Sequence, residues 1–243
     1  MNKAINVYWA PETGLGAGNW NMLYPNPENL FTSLTHKKLP TAGNKTYLGC
    51  PAAGNTFKTT YVFRNGMDSS YEYDFTDSNT YIKPISDNYI NYKISRPATI
   101  EDGPLIDLGL RYALFADQPL EATFTSPTFH KPQYTQYGSF APGKFDIGQW
   151  YRPYPLEIQL WNNKGELHLK HDEPLFYVTF DTTKKINLIR YKMTEELAQI
   201  AEHCVNSPSY WGVGLPLIER YKRFRASSTR ELVLSEIKKN IIN

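Results

Sequence analysis

The stretch from Gln149 to Phe180 constrains the fold most, because it holds the longest uninterrupted strand signal in the chain. After Arg152-Pro-Tyr-Pro155, the residues Leu156, Ile158 and Leu160 alternate with Glu157, Gln159 and Trp161. Asn162 to Glu166 supplies a turn, and Leu167 and Leu169 then alternate with His168 and Lys170. Successive side chains of a strand point to opposite faces, so a period of two marks half-buried strands. The Asn/Gly turn between the two runs predicts that they pair as a β-hairpin. Asp172-Glu-Pro174 interrupts the pattern, and the apolar run Leu175 to Phe180 suits a strand buried on both faces.

The same signals recur along the chain at short spacing. Ile5 to Trp9 predicts a first strand ended by Pro11, and Asn29 to Leu34 a short helix. Thr46 to Cys50 and Thr59 to Phe63 predict paired strands around Pro51 to Asn55. Tyr71 to Phe75, Tyr81 to Lys83 and Tyr89 to Ile94 add further strands, with Ala98 to Leu108 as a connection. Leu110 to Ala116 and Leu120 to Thr125 predict a second hairpin across Asp117-Gln-Pro119. Ser126 to Lys144 is a long loop near a sheet edge, of a kind that is often functional. Ile186 to Met193 is a last strand. From Thr194 the period changes: Leu197, Ile200, Ala201, Cys204 and Val205 share one helical face, with Thr194 as N-cap and Pro208 as terminator. Pro216 opens a second helix carrying Leu217, Ile218, Tyr221 and Phe224, and Ser228 with Glu231 forms a capping box for a third. The expectation is a mainly β, antiparallel sandwich or jelly-roll-like core over residues 1–193, with a helical segment, 194–243, packed on it.

Composition supports a packed core and narrows the setting. The chain has 243 residues, 41% of them hydrophobic, and its 18 Tyr, 12 Phe and 5 Trp favour a pleated sheet over helix. A net charge of +2 argues against a surface devoted to nucleic acid, while leaving room for a local basic patch. Cys50 and Cys204 are far apart and outside any CxxC pair, so reduced thiols in a reducing compartment are expected. The N-terminus lacks a signal-peptide pattern and no apolar run is long enough to span a membrane. These features lead to the expectation of a protein of a reducing compartment, not secreted by a signal peptide and not spanning a membrane.

Three constellations bear on chemistry. His171-Asp172-Glu173 has the His-x-Glu spacing of non-haem iron oxygenases, in which two histidines and a carboxylate occupy one face of the metal. On a strand, His171 and Glu173 share a face and can reach one Fe2+ at about 2–2.3 Å, with His130 or His203 as third ligand. A polar strand end explains the same residues. By helical phase His203 lies beside Glu196 and Gln199, off the apolar face. His168 and His171 fall on opposite faces of a strand, and His168 and Asp172 lie roughly 13 Å apart on one face, so neither pair chelates. The glycine-rich run Gly14 to Gly18 is followed by Trp20 to Pro25 and not by a helix, so it lacks the context of a phosphate cradle. Cys50 has no histidine near it in sequence, Cys204 sits in an apolar stripe, and Ser139 and Ser209 occupy no nucleophile elbow. Arg220-Tyr-Lys-Arg-Phe-Arg225 carries four cations, Arg220, Lys222, Arg223 and Arg225, interleaved with aromatics. Such a face suits phosphates with stacked bases, an acidic protein partner, or a solvated helix surface above an inward Tyr221 and Phe224.

Around the Gln149–Phe180 stretch, Trp150, Pro153, Pro155, Trp161, Glu173, Pro174 and Phe176 carry a resemblance. They resemble a family of uncharacterised bacterial and tailed-phage proteins that share a tryptophan, a Pro/Phe-containing strand, a turn, and a Glu-Pro before an apolar strand. The likeness covers about residues 105–182. Members carry acidic residues just before the tryptophan, where this chain has Ile147-Gly-Gln149. The resemblance implies a phage or bacterial origin, and with it the cytoplasm of a bacterial host or a virion, together with a β core; it supplies no activity.

The expected function is therefore a non-enzymatic, phage-type protein that binds other proteins, as a virion or assembly component or against host components, without a cofactor. The alternatives are a cupin-like iron(II) oxygenase built on His171 and Glu173, and nucleic-acid binding through Arg220 to Arg225.

Overall fold

The computed structural model describes residues 4–12, 24–36, 50–76, 81–85, 98–100, 103–205 and 216–242. In chain order the elements are β1 (Ile5–Glu12), β2 (Glu28–Asn29), α1 (Leu30–His36), α2 (Pro51–Lys58), β3 (Thr60–Arg64), β4 (Ser69–Asp74) and β5 (Tyr81–Pro84). Next come β6 (Ala98–Ile100), β7 (Gly103–Ala116), β8 (Glu121–Thr125), a 3-10 turn (Gln133–Gln136), β9 (Gly138–Phe140) and β10 (Gly143–Asp146). The chain continues with β11 (Tyr154–Leu160), β12 (Lys164–Leu169), β13 (Pro174–Phe180), β14 (Ile186–Arg190), α3 (Glu195–Val205), α4 (Leu217–Ala226) and α5 (Thr229–Lys239).

The fold is mainly β. One sheet runs β14-β1-β7-β11-β9, with β6 also on β7; a second runs β10-β8-β13-β3-β2; a third runs β12-β4-β5. Pairing is antiparallel except between β1 and β14, which run parallel from Ile5↔Ile186 to Trp9↔Arg190. The sandwich follows from alternation. Val7, Trp9, Tyr112, Leu114, Leu156 and Ile158 of the first sheet meet Phe63, Phe124, Phe176 and Phe180 of the second in one buried core. Rings dominate it: Phe176 stacks on Phe63 at 5.0 Å and on Phe140 at 4.9 Å between centroids. Tyr71, Tyr73, Leu167 and Leu169 of the third sheet join the same core.

The outer faces are covered as well. Tyr8, Ala10, Ala113 and Phe115 point away from the core, beneath Leu197, Ala201, Phe224, Val233 and Ile237 of α3–α5. On the far side Val62 and Tyr177 of the second sheet lie beneath Leu30, Leu34, Ala53 and Phe57 of α1 and α2. The order of layers is helix, sheet, sheet, helix, and β13 at the centre of its sheet is buried on both faces. Among the described residues no helix is long and apolar enough to cross a membrane.

Several sequence expectations are corrected. The strands β11 and β12 form, but β11 pairs with β7 and β9 while β12 pairs with β4, so they make no hairpin. Likewise β7 and β8 belong to different sheets, and Asp117–Pro119 carries the chain across the sandwich. Alternation fixes which face of a strand is buried, but a corner between sheets uses the same turn residues as a hairpin. Pro51 to Asn55, expected as the turn between paired strands, is instead the start of α2, where Pro51 occupies an early position that needs no N–H. Thr46 to Gly49, Tyr89 to Ile94, Gly14 to Gly18, Pro208 and Ser209 lie outside the described residues. Ala98 to Leu108, expected as a connection, holds β6 and the start of β7, the turn between them resting on Gly103 at φ 147°. β1 runs past Pro11 to Glu12. The loop from Ser126 to Lys144 contains β9 and the start of β10, the edge strands of the two main sheets.

Candidate functional site

The residues of the expected iron site are held in three separate environments. His171 and Asp172 form an exposed turn, with Asp172 at φ 62°, so the rule that places residues i and i+2 on one strand face does not apply to His171 and Glu173. The His171 N–H donates to Asp68 Oδ1 at 2.8 Å, and Glu173 Oε2 accepts from the Gln133 N–H at 2.8 Å. His130 is buried over the second sheet, its Nδ1 on the Tyr177 hydroxyl and its Nε2 3.3 Å from Ser33 Oγ. His203 is exposed on α3, over the outer face of the first sheet. Among the described residues no three His, Cys, Asp or Glu side chains gather as a metal-holding group.

The His130 cluster is a buried strut. Arg64 Nη2 donates to Ser33 Oγ at 2.9 Å, and Arg64 Nη1 donates to the Asp172 carbonyl at 2.7 Å. The Tyr177 hydroxyl accepts from the Phe129 N–H at 3.2 Å and is also hydrogen-bonded to His130 Nδ1. The network ties α1, β3, β13 and the 126–132 segment together.

The helical layer has a different character. α3 starts on Thr194, whose Oγ1 accepts from the Leu197 N–H at 3.2 Å, with Glu195 and Glu196 at the positive end of the dipole. Its apolar stripe buries Leu197, Ala201 and Cys204 against the first sheet. α4 buries Phe224, whose ring meets Phe115 edge-on at 6.2 Å and Trp150 at 5.7 Å. Leu217 and Ile218, at the start of α4, are 46% and 60% exposed. The expected Ser228–Glu231 box is absent at α5: Ser228 makes no side-chain cap, and Ser227 Oγ accepts from the Thr229 N–H at 3.3 Å.

The cations of α4 lie on its outer side. Lys222, Arg223 and Arg225 are exposed and Arg220 is half-buried. Lys222 Nζ pairs with Glu219 Oε1 at 2.8 Å, and Arg225 lies over the Tyr221 ring at 5.5 Å. α4 separates two open cavities. The first, about 550 Å³, lies between Arg225, Gln149 and the Asp117–Pro119 corner. Arg230 closes one side of it, donating to the carbonyls of Gly148 and Asp117, each at 2.8 Å. The second, about 510 Å³, opens between α3, α4 and α5 over Trp150, Phe224, Ile200 and Leu232. Arg220, Arg223, His203, Ser227 and Thr229 stand on its rim. Cys204 also lines it, its thiol pushed up to about 12 by burial, an effect that Arg220 partly offsets.

Sequence reasoning located the cations but not the cavity beside them. Trp150 is far in sequence from every other wall residue, but in space it floors the site because the turn before β11 folds under α4. Ser227 and Thr229 were hidden by the expected cap at Ser228, one residue away. No protein-family model matches the chain, no curated protein matches it, and no solved structure matches it.

Proposed function

We propose that this is a non-enzymatic binding protein that engages another protein through the exposed side of α4 and α5. The resemblance around Trp150 and Glu173-Pro174 suggests the setting, a virion or assembly component of a tailed phage in its bacterial host. The observation that carries the reading is the exposure of Leu217 and Ile218, at 46% and 60%, together with Leu232 at 48%, beside the cations of α4. Exposed apolar side chains beside charge are characteristic of interaction surfaces. α4 carries four cations against the single carboxylate of Glu219. The fitting partner is therefore a protein presenting acidic side chains around an apolar patch.

The experiment is to purify the native complex from the producing host and measure the partner's affinity against salt, for wild type and for Leu217→Glu and Ile218→Glu. The reading predicts affinity that falls with salt and is lost in both variants. Salt-independent affinity, or affinity untouched by both substitutions, contradicts it. Nucleic acid is the less favoured occupant, because Phe224 is buried and Tyr221 packs on Trp150 at 5.1 Å, so neither ring is presented to a base.

A further inference from the structure

We infer that Ser70 carries an activated hydroxyl, which with His168 and Glu166 forms a site on the outer face of the third sheet that accepts an acyl group from an activated ester. This is a single covalent modification of the protein and not turnover. It goes beyond the protein-partner reading and does not rest on it, because its residues belong to β4 and β12 and not to α4 or α5.

The strand register builds the site. Tyr71, Tyr73, Leu167 and Leu169 send their side chains into the core, so Ser70, Glu166 and His168 point to the other face. His168 lies directly opposite Ser70 in the antiparallel pair, a separation of about 4.5–5.5 Å between Cβ atoms, and Glu166 is two residues away on the same face. His168 Nδ1, the ring nitrogen nearer the backbone, is 2.8 Å from Ser70 Oγ. Its Nε2, further out, is 3.1 Å from Glu166 Oε2. The Tyr137 ring meets the imidazole at 5.6 Å and 68°, which restrains the plane of the ring.

The chemistry follows from these hydrogen bonds. A carboxylate only accepts, so the Glu166 contact places the imidazole proton on Nε2, and the neutral ring turns its Nδ1 lone pair to Ser70. Ser70 Oγ therefore donates to Nδ1. Hydroxyl, imidazole and carboxylate in series activate a serine nucleophile, here with the two ring nitrogens exchanged relative to the serine-protease arrangement. As Ser70 Oγ bonds to the acyl carbon of an aryl ester, its proton passes to Nδ1 and the bond from that carbon to the aryl oxygen breaks. The aryloxide takes the proton from Nδ1 and leaves as the phenol, and nothing is oxidised or reduced. Glu166 is a positioning residue that fixes the tautomer and faces the transient imidazolium. The side chains of Glu166 and His168 are 58% and 22% exposed and Ser70 is half-buried, so a small ester reaches them. Ser33 and His130 also pair, at 3.3 Å, but both are buried and Arg64 donates to that hydroxyl.

Treatment of the whole chain with p-nitrophenyl acetate, followed by peptide mass mapping, tests the proposal. Ser70 should be acetylated at least about a hundredfold faster than the exposed Ser228, and Ser33 should stay unmodified. His168→Phe should bring Ser70 down to the rate of Ser228. Glu166→Gln should slow Ser70 about tenfold, since the amide keeps a hydrogen bond to Nε2 but not the charge. The rate should fall on acidification as the ring takes up a proton, and in Glu166→Gln that fall should move to lower pH, because the lost carboxylate favours the charged ring. The other titratable groups around His168 are Glu72 with Lys83 and Tyr81, Asp74 with Lys164, Asp68 and Lys170 at the strand end, and Tyr137. They are common to both proteins, so the difference reports on Glu166. Glu166 is exposed, so Glu166→Gln should melt with wild type and carries the test where His168→Phe is destabilised. Acetylation of Ser70 no faster than that of Ser228, or a Ser70 rate untouched by either substitution in a folded variant, overturns the proposal. Leu217→Glu should leave the Ser70 rate unchanged, which separates failure here from failure of the partner surface.

Discussion

The ring of Trp150 lies 5.1 Å from that of Tyr221, tilted by 35°, and this contact joins the turn before β11 to the basic helix α4. Through it the position of α4 is set by the β core. Trp150 is 3% exposed and also meets Phe224, so Trp150→Ala removes the floor on which α4 rests. The expected cost is about 3–5 kcal/mol in chemical denaturation. A Trp150/Tyr221 double-mutant cycle should give a coupling of about 0.5–1.5 kcal/mol.

How much of this was legible in the sequence depends on whether a property is local. The buried sides of Leu156, Ile158 and Leu160, and of Leu167 and Leu169, follow from alternation alone. Which strand lies next to each does not, because Trp161 to Asn163 looks the same in a hairpin and in a corner between sheets. The helical stripe of Leu197, Ala201 and Cys204 was legible for the same local reason, and so were the cations of α4. The walls around those cations come from the 149–150 turn and the start of α5, which only the tertiary fold brings together. His171 and Glu173 show the converse, since their spacing has meaning on a strand and they lie in a turn and at its edge.

Gly103 turns the chain from β6 into β7 at φ 147°, and a Cβ there would collide with the Leu160 carbonyl oxygen. Gly103→Ala should therefore cost more than about 1 kcal/mol, measured by the denaturation midpoint at constant slope.

The two thiols should differ sharply in reactivity. Cys50 is exposed at the start of α2, where the N–H groups of Ala53 and Ala52 favour its thiolate and lower its pKa below the usual thiol range. Cys204 is buried and its pKa is pushed up to about 12. Iodoacetamide at neutral pH should modify Cys50 in the folded protein and Cys204 only after denaturant is added, as read by peptide mass. Equal rates at the two sites would contradict these environments.

Glu157 sits opposite Asp107 on β7, and burial together with that neighbouring carboxylate raises its pKa, against the pull of Arg152 and Arg111. A carboxyl with a raised folded pKa binds its proton more tightly when folded. Its ionisation therefore opposes folding above that pKa, and the penalty disappears as pH falls through it toward the unfolded value of about 4.3. Glu157→Gln should raise the melting temperature at pH 7 and lose that advantage near pH 4. A variant less stable than wild type at pH 7 would contradict the assignment.

The most direct test of the binding face places a photocrosslinking benzophenone side chain at one of three exposed positions in the producing host. Ile218 reports on α4, Phe129 on the α1–α2 side of the molecule, and Lys83 on the third sheet. The account predicts a discrete protein adduct from position 218 that weakens as salt rises, and none from 129 or 83. Adducts from 129 or 83, with none from 218, would contradict it.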